Sequence, residues 1–372
     1  MNQLTSPVDR YISSFEAARS TFIGSGLPWM NALRRDGIDH FGSMGFPGPK
    51  EEAWKYTRLR SIEDTTFQLV RKADGEASVN KIPSILGSDM GLPRIVFVNG
   101  FMRRDLSRLD NLPRGVIVQS LGEALAQDPE WVSAHLGKIA RIEGQPLTAL
   151  NTAMMNAGVV LRVLAGVTVE KPIETIFLAG LTSEPVANYP RNLIIMEEAS
   201  QATLVSLHAG LGVGAYLANA VTEVDIGNAA VLRHYRVQSE NNQATHISSL
   251  NVRIGQDATY DGFGLNLGGR LSRTEFSARL EGEGGHCAFN GAYLMKGREH
   301  CDNTTVIEHI VPNTTCSEIF KGVLDDEACG VFQGRIIVHK DAQGTNGHQL
   351  SNALLLSDKA EMDAKPELEI YA

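Results

Sequence analysis

The chain has 372 residues, with 34 Lys and Arg against 43 Asp and Glu, and so carries a net charge of −9. This acidic balance argues against nucleic acid as a partner, because phosphate binding relies on clustered Lys and Arg. The sequence lacks both the long apolar run of a membrane-spanning helix and the apolar stretch of a secretory signal, so we expect a cytoplasmic protein with no membrane partner.

Residues 1–145 predict a mixed α/β, mostly helical N-terminal region. Apolar side chains recur there at helical spacing, and two short β-branched runs are bounded by turn residues. The predicted elements are helices over residues 8–20, 28–35 and 50–60, strands over residues 94–98 and 115–119, a Gly/Pro-rich loop over residues 42–49, and a helical stretch over residues 121–140 that breaks near Pro129.

Residues 146–372 predict a parallel β-helix. Short apolar, β-branched runs alternate there with Gly, Asn, Asp and Ser turns, and the four cysteines, Cys287, Cys301, Cys316 and Cys329, are spaced by 14, 15 and 13 residues. One strand and one turn fill about 14 residues. We expect each such unit to be half of a coil, so that two strands make one turn, with a small complete coil as the alternative.

Glycine is unusually frequent, at 36 of 372 residues. The glycines do not follow a collagen repeat. Since glycine adopts positive φ without steric strain, we expect the excess at the corners of the β-helix. The segment Gly210 to Gly214 is Gly-rich but lacks the Lys-Ser/Thr of a phosphate loop, so we expect a corner there and no nucleotide site.

The His-Cys pairs His286-Cys287 and His300-Cys301 are the candidates for a metal site. Stacked coils could bring imidazoles and thiols together, and zinc and iron–sulfur sites use such ligands. However, adjacent residues on a strand point to opposite faces, and free cysteine is commonly buried. We therefore predict no metal site, no catalytic residue and no cofactor-binding residue, and keep a His/Cys metal-binding protein as an alternative.

A carbohydrate-active enzyme is the other alternative, because polysaccharide lyases are also parallel β-helices. Sugar grooves favour exposed aromatic side chains and acidic or metal clusters. Here all three tryptophans, Trp29, Trp54 and Trp131, precede the repeat region, and the scattered His and carboxylate residues form no recognisable triad. These features disfavour the enzyme.

The C-terminal segment 330–372 resembles the SufB/SufD family of iron–sulfur cluster assembly proteins. The family pattern is a Phe-x-Gly strand, an Ala-Gln-x-Thr turn, a Gln before Asn-x-Leu-Leu-Leu-Ser, and Pro-x-Leu-x-Ile. The corresponding elements here are Phe332-Gln333-Gly334, Ala342-Gln343-Gly344-Thr345, Gln349, residues 352–357 and residues 366–370.

Two further segments extend the resemblance over nearly the whole chain. The stretch Pro146 to Asn151 is similar to the family's entry into its β-helix. The element Trp54-Lys55-Tyr56-Thr57 is similar to one typical of SufD rather than SufB members.

The resemblance implies a right-handed parallel β-helix and a non-catalytic subunit of the SUF machinery. It implies pairing with a SufB-like scaffold through the β-helix and docking of a SufC-like ATPase on C-terminal helices. An iron–sulfur cluster would be present only transiently in the assembled complex, with no cofactor bound stably to this chain.

One departure from the family concerns the C-terminus. The family's Cys-x-His-Gly motif and terminal helices follow the Leu-x-Ile strand, whereas this sequence stops at Ala372. We expect that the C-terminal helical region, with the ATPase-docking helices, is absent and that a strand edge is exposed near Leu368 and Ile370. Such an edge can add a strand from another chain, so these two residues are the predicted partner edge, and a homodimer or aggregation is expected in isolation.

Overall fold

The computed structural model describes residues 6–70, 91–179, 184–210, 212 and 214–372. The helices in these ranges belong to the N-terminal part of the chain. They are α1 (Pro7–Ala18), α2 (Pro28–Met44), α3 (Arg60–Glu63), α4 (Leu121–Gln127), α5 (Pro129–His135) and α6 (Pro146–Met154), with 3₁₀ turns at Arg19–Thr21 and Glu52–Trp54. None of these helices is long and apolar enough to cross a membrane.

The described strands occur throughout the chain after α3. The first are short: β1 (Gln68–Leu69), β2 (Arg94–Val98), β3 (Phe101–Met102), β4 (Val116–Ser120), β5 (Val159–Val163), β6 (Ile173–Ala179), β7 (Val186–Asn188) and β8 (Arg191–Met196). The later ones are longer: β9 (Gln201–Gly210), β10 (Tyr216–Ile226), β11 (Val231–Ser239), β12 (Thr245–Ile254), β13 (Thr259–Asn266), β14 (Leu271–Leu280), β15 (His286–Met295), β16 (His300–His309), β17 (Thr315–Leu324), β18 (Cys329–Val338), β19 (Asn346–Leu355) and β20 (Glu361–Ile370).

Helix α2 is longer than the sequence pattern predicts. It continues past residue 35 to Met44 because Ile38 and Phe41 extend its buried face, and it ends where Gly45 adopts a φ of 71°. The loop expected over residues 42–49 therefore begins at Gly45. Helix α2 also packs closely on α6, since a Cβ atom on Gly37 would lie 2.8 Å from the carbonyl oxygen of Ala149.

The prediction of a helix over residues 50–60 is wrong. The segment contains only the 3₁₀ turn Glu52–Trp54, and α3 begins at Arg60. Its side chains instead contact the β-helix: the ring of Trp54 lies under the Arg273 guanidinium, and the Thr57 hydroxyl lies 2.9 Å from Nε2 of His300. These long-range contacts outweigh the local helical preference.

The strands form two sheets, and consecutive long strands alternate between them. The pairing is parallel except at one end of each sheet, where β3 pairs antiparallel with β2 and β4 pairs antiparallel with β5. Sheet 1 has the order β20-β18-β16-β14-β12-β10-β8-β5-β4, with β7 beside β10 and β1 beside β7. Sheet 2 has the order β19-β17-β15-β13-β11-β9-β6-β2-β3. Two strands thus make one turn, and the solenoid has about seven turns between residues 160 and 370. The predicted mainly β fold, a parallel β-helix behind a mixed N-terminal region, is confirmed.

Register along the β-helix is regular. Cys287 of β15 pairs with Cys316 of β17, and His300 of β16 pairs with Cys329 of β18. Each 14-residue unit is therefore half a coil. The division at residues 145 and 146 stays a prediction, and β2 and β4 from the first part extend both sheets.

Glycine does more than shape corners. Several corners adopt positive φ with other residues, such as Ala199, Ala229 and Asp257. Within the strands, a Cβ atom on Gly291 would lie 2.4 Å from the ring of Phe320. Much of the glycine excess therefore makes room inside the solenoid for large side chains. These include a continuous row of contacting aromatic rings, Tyr260, Phe276, Phe289, Phe320 and Phe332.

Candidate functional site: the open end of the solenoid

The last turn of the solenoid, which we call the end coil, consists of β19, β20, the turn between them and the two residues after β20. It carries most of the exposed large apolar side chains among the described residues. They are Leu350, Leu354, Leu355, Leu356, Leu368, Ile370 and Tyr371, with Leu368 63% and Ile370 61% exposed. An exposed apolar surface of this kind is typical of a protein interaction site.

The two predicted edge residues occupy core positions of the solenoid. Leu368 pairs in register with Ile336, and Ile370 pairs with Val338. Ile336 and Val338 are 4% and 7% exposed because the end coil covers them. Nothing among the described residues covers Leu368 and Ile370 in the same way, so the apolar interior of the solenoid continues to an open end.

The two strand edges of the end coil differ in chemistry. Strand β20 carries charged residues and Pro366, which has no N–H for pairing. Such features limit edge-to-edge association. Strand β19, with the sequence NGHQLSNALL, has neither proline nor a Lys, Arg, Asp or Glu side chain. The free edge of β19 is therefore the better acceptor for a strand from another chain.

The structure separates the two His-Cys pairs. Strand β15 belongs to sheet 2 and β16 to sheet 1. In both pairs the cysteine is buried and the histidine is only partly buried. His286 contacts the Thr315 hydroxyl through Nδ1 at 2.8 Å, whereas His300 contacts Thr57 of the N-terminal segment.

Each cysteine of these pairs has its own neighbours inside the solenoid. Cys287 pairs with Cys316, whose Sγ atom lies 3.2 Å from Nε2 of His309. Cys301 accepts hydrogen bonds from the side-chain amides of Asn266 and Asn303 at 3.4 and 3.5 Å.

Burial keeps these thiols protonated. It raises the pKa of Cys301 and of Cys316 to about 12, and it raises that of Cys287 well above the usual value for a thiol, with Cys316 adding to the effect. Metal ligation requires the thiolate. Across the described ranges, no group of three or more His, Cys, Asp or Glu side chains is arranged to hold a metal ion.

The Trp54 to Thr57 segment connects the N-terminal region to sheet 1. The Arg273 guanidinium lies 3.8 Å from the centre of the Trp54 ring. Asp302 accepts hydrogen bonds from both the Thr57 hydroxyl and Arg273. Further along, Lys365 of β20 pairs with Glu52 at 2.6 Å. This segment therefore crosses the strands of sheet 1 as far as the end coil.

Buried ion pairs are the feature that sequence reasoning missed. A charged residue within an apolar strand is the one signal of such a pair in the sequence. This signal does not identify the residue's partner. Among the described residues, pairs with both side chains under 10% exposed include Arg94–Glu174, Arg191–Glu223 and Arg273–Asp302.

Two family models together match nearly the whole chain. The model described as "SUF system FeS cluster assembly, SufBD core domain" matches residues 179–372, which is more than half of the chain. The model described as "SufBD protein N-terminal region" matches residues 5–175.

Similar curated proteins include both branches of the family. The iron–sulfur cluster assembly SufBD family protein slr0076 of Synechocystis is 28% identical over 91% of this chain and 76% of its own length. SufD of Escherichia coli is 27% identical over 88% of this chain and 74% of its own length. SufB of Bacillus subtilis is 22% identical over 92% of this chain and 75% of its own length.

Proposed function

This chain belongs to the SufBD family of the SUF iron–sulfur cluster assembly system, and from that premise we propose that it is a non-catalytic subunit of SufD type that pairs with a SufB-like scaffold. The SufD assignment rests on the Trp54 to Thr57 element, since identities to SufD and SufB relatives are similar. Because the family is known, we base the proposed function on it and not on the carbohydrate-active enzyme or the metal-binding protein.

The open end coil is the observation that supports pairing. Leu368 and Ile370 would be buried by a second apolar surface, and the uncharged edge of β19 offers backbone groups to a partner strand. Apolar burial stabilises association by about 25 cal/mol per Å². A second solenoid with a similar open end satisfies both requirements at once.

A SufC-like ATPase completes the proposed complex. Its docking on helices that follow the β-helix is an expectation from the family resemblance, and it involves no residue discussed above. The iron–sulfur cluster is cargo of the assembled complex in this proposal.

Co-purification with a tagged SufB-like protein tests the proposal. The wild-type chain should elute with the scaffold as one complex, and the double variant Leu368→Asp/Ile370→Asp should not, because two carboxylates would be placed in the apolar contact. Leu294→Asp is the control, since Leu294 is 50% exposed but lies on β15, which is two strands from β19 in sheet 2. Failure of the wild-type chain to associate, or equal loss in the control, contradicts the proposed interface.

A further inference from the structure

A cleft of about 470 Å³ lies in the helical N-terminal region, away from the end coil. Its walls come from α1, α2 and the residues between these helices. Three arginines, Arg19, Arg34 and Arg35, are among its lining residues, which include no Asp or Glu. Its volume falls in the range of about 300–1,000 Å³ that is typical of small-molecule sites.

Arg34 is a buried cation without a counter-ion. It is 1% exposed, and its guanidinium donates hydrogen bonds to the carbonyl oxygens of Ala153 and Ile23 at 2.9 and 3.1 Å. Its Nε atom is buried and has no hydrogen-bond partner among the described residues. Burial without a carboxylate lowers the pKa of Arg34 to about 9. An uncompensated buried charge is unfavourable, so an anion nearby would stabilise this arrangement.

The other two arginines share a single carboxylate. Glu16 accepts from Arg35 at 2.6 Å and pairs with Arg19 at 3.1 Å. Both arginines remain about half exposed, so they can reorient toward a bound molecule. Asp39, one helical turn beyond Arg35, forms no ion pair with it within the described ranges but is close enough to interact with it electrostatically. Three guanidinium groups face the two carboxylates of Glu16 and Asp39, so the cleft keeps a local excess of positive charge.

This charge and geometry favour phosphate over carboxylate. A phosphate monoester carries about −1.5 to −2 charges at neutral pH and therefore interacts more strongly with three guanidinium groups than a carboxylate, which carries one charge. Arginine presents a planar fork of donors that binds phosphate oxygens in pairs. The hydroxyl groups of Ser20 and Ser25 at the same cleft supply further donors. We infer that this cleft binds the phosphate group of a small molecule, as a function separate from partner pairing.

Equilibrium dialysis with radiolabelled inorganic phosphate tests the inference on the intact chain. The expected result is one saturable site per chain, which acetate at the same concentration does not displace. The double variant Arg19→Gln/Arg35→Gln retains Arg34 and its structural hydrogen bonds. Its affinity for phosphate should be lower than that of the wild type by about tenfold or more. Arg298→Gln is the matched control, because Arg298 is an exposed arginine on a solenoid corner and should leave binding unchanged.

Circular dichroism confirms that each variant is folded before binding is compared. Absence of saturable phosphate binding by the wild-type chain overturns the inference. So does a double variant that binds like the wild type, or displacement of phosphate by acetate.

Discussion

Arg191 and Glu223 form an ion pair that joins the solenoid to the N-terminal region. Their closest atoms are 2.7 Å apart, and both side chains are fully buried. The Glu223 carboxylate also accepts hydrogen bonds from the backbone N–H groups of Gly137, Ile139 and Ala140. A single charge in β10 therefore holds in place the loop that follows α5.

Neutralising Glu223 should destabilise the protein strongly. The variant Glu223→Gln leaves Arg191 charged and buried without a counter-ion, although its hydrogen bonds to Asn151 and Thr152 remain. Such a change typically lowers the free energy of unfolding by about 3–5 kcal/mol. Urea unfolding followed by circular dichroism measures the loss. The double variant Arg191→Met/Glu223→Gln removes the unpaired charge and should be more stable than the single variant. Arg298→Gln, in an exposed pair with Glu327, should leave the unfolding midpoint unchanged.

Acidification should destabilise the protein through His234. Burial lowers the pKa of this histidine from 6.5 to about 3, and its ring nitrogens contact Ser206 and Tyr260. Between pH 6.5 and about 3 the unfolded chain binds a proton at this site that the folded chain does not. Stability therefore rises with pH across this window and falls as the pH is lowered.

The variant His234→Gln tests this linkage. Its free energy of unfolding should depend less steeply on pH between 6.5 and 4 than that of the wild type. Glu318 contributes the opposite slope, since burial raises its pKa to about 7, but it contributes equally to both proteins. Parallel pH profiles for the two proteins would contradict the assignment.

Adding a methyl group at Gly158 should destabilise the folded protein. This residue has a φ of 144°, and a Cβ atom would lie 1.9 Å from the carbonyl oxygen of Arg191. We expect Gly158→Ala to lower the free energy of unfolding by more than about 1 kcal/mol. Gly264→Ala is the control, because a Cβ atom there has no heavy atom within 4 Å and should change stability by less than about 0.5 kcal/mol. Equal unfolding midpoints for the two variants would falsify this account of the coil junction.

The cysteines should be unreactive in the folded protein. Cys287, Cys301 and Cys316 are buried with raised pKa values, and burial raises that of Cys329 to about 12 as well. A thiol-specific chromogenic reagent should label the folded chain slowly at pH 8 and all 4 cysteines rapidly in denaturant. Rapid labelling of the folded chain at Cys287 or Cys316 would contradict this prediction, since it would show that these cysteines are accessible as thiolates.

In isolation the end coil should mediate self-association. Two copies can cover each other's Leu368 and Ile370, so light scattering should show a dimer whose fraction rises with concentration. The variant Leu368→Asp/Ile370→Asp should be monomeric, whereas Leu294→Asp should behave like the wild type. A wild-type monomer at every concentration tested counts against the apolar end as an interaction surface.

The repeat architecture was predictable from local patterns. The cysteine spacing indicates the combined length of one strand and one turn, and the β-branched runs between turn residues indicate where the strands lie. The predicted length of helix α2 is too short and the predicted helix over residues 50–60 is wrong, both for the same reason. Their conformations depend on contacts with α6 and sheet 1, which are remote in sequence.

The candidate site was only partly predictable. Leu368 and Ile370 were identified as an edge, but their place above Ile336 and Val338, at the open end of the apolar interior, requires the register of sheet 1. The arginine cleft carries no sequence motif, because Arg19 and Arg34 converge only through the packing of α1 and α2.

The sequence by itself determined the repeat of one strand and one turn and the resemblance to the family, because spacing, side-chain alternation and motifs are properties of neighbouring residues. That two such units make one coil was decided by the register of the strands. The tertiary structure alone decided which charges are paired, which thiols are buried and which apolar residues remain uncovered. Those properties depend on burial and on partners far along the chain, as with Glu223 and the loop at Gly137. Burial sets the energy of a charge, and no local pattern encodes it.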